Sequence, residues 1–206
     1  MNTLHKPKWI VFDIGGVLFD SLSALKEISE FLGVEQTQII EMITENLGDN
    51  ELGKMSFNNV WVNILNRLNK LKEHENVLKI WWDIKRWSKD MRLLMLELHK
   101  KGYRLAIVTN NWRGMKEKFL KDVVESTVIE YFFESSNEGM RKPDIQFFKL
   151  VEARLDASGE DIFFIDDSDI NIESAKSLRW QTFHYILGDA HEKQSNELIR
   201  QLLLSP

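Results

Sequence analysis

The 206 residues include no cysteine, which excludes disulfides, thiol nucleophiles and thiolate metal sites. The five histidines, His5, His74, His99, His184 and His191, never fall at a metal-ligand spacing, so a zinc centre is not expected. No apolar run approaches the length of a membrane span. Met1 to Lys8 is polar, carries two lysines and gives way to a strand-like run at Trp9, which leaves no room for the apolar core of a signal peptide. Basic residues are scattered and the net charge is -5, so there is no stripe to track a phosphate backbone or to hold an anionic membrane. These absences predict a cytoplasmic protein whose partners are neither nucleic acid nor membrane. No feature of the sequence speaks to oligomeric state.

What is present suits one compact α/β domain with a modest insertion: 43% hydrophobic and 11% aromatic residues. Five short apolar runs read as strands, Trp9 to Phe12, Arg104 to Val108, Ile129 to Phe133, Ile162 to Ile165 and Thr182 to Ile186. Their continuous apolar character predicts strands covered on both faces, as in a parallel sheet. Helical periodicity separates them over Lys89 to Lys101, Trp112 to Val124, Pro143 to Leu155 and Ile170 to Leu178, and a last helix spans Glu192 to Leu204. The alternation predicts a doubly wound, mostly parallel, Rossmann-like sheet.

One interval breaks the rhythm. The stretch between the first two strands is helical throughout, over Leu22 to Leu32, Glu35 to Leu47, Phe57 to Leu71 and Asn76 to Trp87. A crossover helix needs only about a dozen residues. The excess predicts an inserted all-α unit over 20–88, with 1–19 and 89–206 forming the core. Gly48, Asp49 and Asn50 supply a turn inside it, and Asp20 and Ser21 cap its first helix.

In open α/β sheets the ligand sits at the carboxyl ends of the strands. Asp13 follows the first strand directly, ahead of Gly15 and Gly16. Thr109 and Asn110 end the second and offer a hydroxyl and amide donors. After the third come Arg141 and Lys142, just before Pro143, which fits the first turn of a helix. Two cations there make sense if an anion sits between them and the helix. The fourth strand ends in Asp166 and Asp167, with Asp169 as the cap of the next helix. Carboxylates this close repel unless a cation joins them, and an oxygen-only donor set fits Mg²⁺. Each signal alone has a bland explanation in turn or cap chemistry. Their convergence at four strand ends is what favours a site.

Asp13 in FDIGGVL, Thr109 in VTNN, Lys142 in GMRKPD and Asp167 in IDDSDIN resemble the four ordered motifs of the haloacid dehalogenase superfamily, and the helical insertion resembles its first type of cap. GGV, RKPD and DD-x-x-x-N are similar to a branch with bacterial sugar phosphatases and the phosphatase domain of soluble epoxide hydrolases. The resemblance implies that Asp13 attacks phosphorus and forms an aspartyl-phosphate. It implies Mg²⁺ on the Asp13 side chain, the Gly15 carbonyl and Asp167, with Asp166 and Asn171 supporting the metal's outer shell. Thr109 and the Asn110 backbone amide would hold phosphoryl oxygens, and Lys142 would neutralise Asp13. The substrate so implied is a small phosphorylated metabolite.

One departure matters. Phosphatases of the family usually carry a second aspartate two residues after the nucleophile, where this chain has Gly15. Without it, turnover is expected to favour leaving groups already stable as anions. Two alternatives follow from the same glycine: a 2-haloacid-type dehalogenase using Asp13, with Arg67 and Arg86 as cap cations for a carboxylate, or a catalytically weak or silent phosphate-binding or interaction protein. Trp81, Trp82 and Trp87 read as core or hinge packing, whereas Trp112 could also wall the site.

Overall fold

A computed structural model describes residues 5–45 and 47–204. Met1 to Leu4 of the polar amino-terminal segment, and Asn46 inside the second expected helix, lie outside the described residues. Five strands, β1 (Trp9–Phe12), β2 (Arg104–Thr109), β3 (Ile129–Glu134), β4 (Ile162–Asp166) and β5 (Gln181–His184), form one sheet in the order β3-β2-β1-β4-β5, and every pairing is parallel. The central strand shows why an unbroken apolar run was needed. Ile10 and Phe12 enter one core with Leu94, Leu98 and Ile199, while Trp9 and Val11 enter a second with Phe148, Val151 and Ala175. Alternate side chains point to opposite faces, so a strand covered on both sides must be apolar at every position.

The core helices are α6 (Lys89–Lys100), α7 (Met115–Asp122), α8 (Ser135–Glu138), α9 (Ile145–Leu155), α10 (Asp169–Ser177) and α11 (Asp189–Leu204). Several expectations need correction. β3 and β5 are edge strands, and their residues are only partly covered apart from the end of β3, so burial on both faces holds for β1, β2 and β4 alone. The fifth strand runs Gln181–His184 and stops short of Ile186. Pro143 lies before α9, whose cap is Asp144, with its side chain accepting from the Gln146 amide. The helix after β2 starts only at Met115, behind Gly114 in the left-handed region. Asp169 is the first helical residue of α10 and gives no capping bond, the cap position being Ser168.

The helical insertion comprises α1 (Ser21–Leu32), α2 (Gln36–Thr44), α3 (Leu47–Glu51), α4 (Phe57–Arg67) and α5 (His74–Trp81). The Asp20 side chain caps α1 by accepting from the Ser23 amide, and Gly33 ends it with φ 63°. Gly48, Asp49 and Asn50 do not form the expected turn. They lie inside α3, and the left-handed turn falls to Gly53 instead. The two passages between insertion and core run side by side, joined by bonds from Asp20 N to Arg86 O and from Ser88 N to Leu18 O, both 2.8 Å. Rings of Phe19, Trp81, Trp82 and Trp87 pack over this crossing, in keeping with the packing role expected for the three tryptophans. Among the described residues no helix is long and apolar enough to cross a membrane.

Candidate active site

The sheet register decides what meets what. Phe12 lies level with Ile107 on one side and Ile165 on the other, so the next residues bring Asp13 and Asp166, and one position further on Thr109, to one edge. The Asp13 amide extends the ladder by donating to Ile165 O at 2.9 Å. Lys142 reaches the same edge from the loop after α8. Its backbone is clamped by the Asn110 side chain, which donates to Lys142 O and accepts from Lys142 N, both at 2.8 Å.

Lys142 is 1% exposed, and its Nζ lies 2.6 Å from Asp166 Oδ2 and 3.0 Å from Asp13 Oδ1. The reading of an anion held between this cation and the helix start is therefore not met, whereas its nearness to Asp13 is what the resemblance implies. Lys142 turns inward between two carboxylates rather than toward the start of α9, and Arg141 turns to Glu51 on α3, with Nε 2.9 Å from Oε2. Asp166 is fully buried and saturated, accepting also from Asn171 Nδ2 and the Ser168 amide. Asn171 thus braces Asp166. Asp13 Oδ1 accepts from the Ile14 amide at 2.7 Å as well. Thr109 is buried, and its Oγ1 accepts from Asn111 Nδ2 at 3.0 Å.

Asp13, Asp166 and Asp167 each offer a carboxylate oxygen within 4.8 Å of the others. Burial pushes the Asp13 carboxyl up to about 7, against the pull of Lys142. Burial likewise raises Asp167, helped by the charge of Asp166. Burial lowers Lys142, but Asp13 and Asp166 outweigh it and leave the ammonium above its ordinary range. Three crowded carboxylates against one ammonium leave negative charge unmatched, and an all-oxygen cluster of this kind fits a hard divalent cation.

Two cavities open here. A cleft of about 500 Å³ is lined by Asp13, Gly15, Asp20, Glu51, Asp167 and His184, among others. A smaller chamber of about 190 Å³ runs under the insertion, with Asp13 and Glu51 at its polar end and Leu25, Ile43, Trp81 and Trp112 among its apolar walls. Trp112 therefore both packs, stacking on Phe57 at 5.3 Å, and walls the site. Two contributors, His184 and Glu51, escaped sequence reasoning, and a third, Gly16, could be noted only as a glycine following Asp13. Gly16 has φ +69°, and a Cβ on it would come within 2.0 Å of Asp167 Oδ2, so only glycine lets that carboxylate approach. His184 holds the Asp167 carbonyl through Nε2 at 2.9 Å. Glu51 follows directly on the segment read as a turn, and nothing in its neighbours marked it. The conspicuous arginines are engaged elsewhere, Arg67 with Glu45 and Arg86 with Glu27.

The family model for haloacid dehalogenase-like hydrolases matches residues 10–184. The chain is 28% identical to rat bifunctional epoxide hydrolase 2 over 80% of its own length and 32% of that protein, so it spans about a third of this relative. It is 30% identical to a phosphoglycolate phosphatase of Vibrio cholerae over 50% of the chain and 45% of the relative. Among solved structures, a haloacid dehalogenase family enzyme of Bacteroides thetaiotaomicron in complex with magnesium and inorganic phosphate superposes with TM-score 0.66 at 19% identity, covering 91% of this chain and 98% of that one. A dehalogenase superposes with TM-score 0.74 at 16% identity over 97% and 98% of the two chains. At such identities both structures speak to the fold alone.

Proposed function

The chain belongs to the haloacid dehalogenase-like hydrolases, and from that premise we propose that it is a Mg²⁺-dependent phosphatase acting through Asp13 on a small phosphorylated metabolite. The observation that carries the reading is Lys142 buried between Asp13 and Asp166, with Asp167 completing a three-carboxylate cluster at the floor of an open cleft.

Asp13, the Gly15 carbonyl and Asp167 would hold Mg²⁺, with Asp166 and Asn171 supporting them. Bound there, the ion offsets the repulsion between carboxylates and an incoming phosphate. An Asp13 carboxylate oxygen attacks phosphorus, the bond to the leaving oxygen breaks, and an aspartyl-phosphate results. Lys142, fixed in place by Asn110, neutralises Asp13 as the anion approaches. Thr109 and the Asn110 amide, at the neighbouring strand end, would hold phosphoryl oxygens. Water then attacks the aspartyl-phosphate and frees inorganic phosphate. The phosphatase named among the relatives supports this choice.

The dehalogenase reading has less behind it. Arg67 and Arg86, its candidates for a substrate carboxylate, are both committed to glutamates. A neutral carbon–halogen bond would also leave the acidic cluster without a purpose. The test is phosphate release from a panel of phosphorylated metabolites, beside halide release from 2-haloacids. Phosphate release should need Mg²⁺, stop with EDTA and vanish in Asp13→Asn, with folding intact. Near wild-type turnover by Asp13→Asn, or halide release in place of phosphate, would overturn the proposal.

A further inference from the structure

We propose that Glu51, carried into the site by the helical insertion, is the proton donor that position 15 lacks. The inference rests on the phosphatase reading above.

The place where a second carboxyl would stand is vacant. A Cβ on Gly15 would meet nothing within 4 Å, so no neighbouring side chain has moved in to fill the space beside Asp13. A donor must then come from elsewhere on the wall of the cleft. The acidic residues lining it are Asp13, Asp20, Glu51 and Asp167. Asp13 is the nucleophile and Asp167 belongs to the metal cluster. Asp20 is tied to α1, accepting from Ser23 N at 3.0 Å and Ser23 Oγ at 2.5 Å. His184, also on the wall, has Nε2 on the Asp167 carbonyl and Nδ1 3.2 Å from Asp169. The Tyr185 hydroxyl donates to Asn196 Oδ1 at 3.1 Å and is raised by burial, so it holds its proton. Glu51 alone of these groups has no competing task in the chemistry.

Its setting suits the role. Glu51 lines both the cleft and the apolar chamber, as Asp13 does, so the residue borders the space a leaving group must cross. It is 8% exposed, and its buried Oε2 accepts no hydrogen bond, although Arg141 Nε stands 2.9 Å away as an ion-pair partner. The residue is held from outside the cleft: Ser135 Oγ donates to Glu51 O at 2.6 Å, anchoring the end of α3 to the core. Arg141 lies close against α3 at Gly48, where a Cβ would come 2.8 Å from Nη1. Burial raises the Glu51 carboxyl above its ordinary range, against Arg141 and Lys142.

The step balances. As the Asp13 oxygen bonds to phosphorus, the bond to the leaving oxygen breaks, its electron pair stays on that oxygen, and the Glu51 proton neutralises it as an alcohol. Glu51, now a carboxylate, takes the proton of the water that attacks the aspartyl-phosphate. Asp13 and inorganic phosphate are released, and the glutamic acid is restored.

The experiment measures kcat/KM for wild type, Glu51→Gln, Asp13→Asn and the double variant Gly15→Asp/Glu51→Gln, against alkyl phosphates and a series of aryl phosphates ending in p-nitrophenyl phosphate. Glu51→Gln should lose about 10²–10⁴-fold on alkyl esters and far less on p-nitrophenyl phosphate, whose phenolate needs no proton. A merely structural role of Glu51 would lower all the esters alike, and the double variant should regain much of the alkyl rate because the new carboxyl supplies the proton. An equal loss across the series, no loss on alkyl esters, or no rescue by Gly15→Asp would overturn the assignment while Asp13-dependent turnover left the phosphatase reading standing. Aryl phosphate turnover that survives Asp13→Asn would overturn both.

Discussion

Replacing Lys142 by methionine keeps most of the side chain's bulk and removes its charge from a site only 1% exposed. Two effects oppose each other. The cost of burying an ammonium disappears, but Asp166 and Asp13 lose the cation that stands 2.6 and 3.0 Å from them. Breaking a buried pair from one side typically costs about 3–5 kcal/mol, so the second effect wins. The loss has a ceiling, because the protein can take up a proton instead. Protonating one ordinary carboxylate costs roughly 5 kcal/mol at about pH 7.5 and only about 2 kcal/mol at about pH 5.5. The variant should therefore be about 3–5 kcal/mol less stable near neutrality, and the deficit should shrink by half or more on acidification. The sign follows from linkage. A carboxyl raised by folding binds its proton more tightly in the native state, so its favourable contribution is full below the ordinary carboxylate range and is lost as pH rises through the folded value. Asp13, pushed up to about 7 chiefly by burial, already behaves this way in the wild type, and the variant adds a second such group in the same window. Urea unfolding of both proteins in EDTA at the two pH values measures the difference. A deficit independent of pH, or none at neutrality, would refute the account of Lys142 as the counter-charge of the buried pair. Turnover in Mg²⁺ should also fall by about 10²–10³, because the nucleophile would meet the anion without its cation.

Three further outcomes are expected. Calorimetric titration should show Mg²⁺ affinity weakened far more by Asp167→Ala than by Asp169→Ala, since Asp169 is exposed and touches only His184 in this region; equal effects would mean that the wrong members of the acidic run were assigned. Gly16→Ala should cost about 1 kcal/mol or more in thermal unfolding and impair metal binding, because of its φ of +69° and the clash with Asp167, whereas Gly15→Ala should fold as the wild type does; equal tolerance at both positions would contradict the geometry. Ile43→Trp should fill the apolar chamber and raise KM for esters with bulky apolar groups while sparing the smallest substrates, and a uniform change across substrate sizes would show that the chamber is not used.

Much of this was legible in the sequence because it follows from local rules. The apolar runs identified the strands, since a parallel strand buried on both faces admits no polar position, and β1 is buried throughout. Asp13, Thr109, Lys142 and the Asp166–Asp167 pair could be singled out because strand ends in such a sheet face a common edge. The ends of helices were less legible. The stretch Gly48 to Asn50 has turn composition yet lies within α3, where packing against α8 overrides propensity.

Tertiary structure alone decided the partners. Arg141 and Lys142 are adjacent and chemically alike, yet one pairs with Glu51 of the insertion and the other lies between Asp13 and Asp166. No spacing rule distinguishes them, because the choice depends on which loop face the core covers. The same holds for Glu51, which is 38 residues from Asp13 in sequence and shares a cavity wall with it once α3 is anchored to the core, as by Ser135. Sequence determines which groups a chain owns and which strand end each follows. Which carboxylate is dry, which is paired and which is left facing the cleft are properties of burial, and burial exists only once distant segments pack.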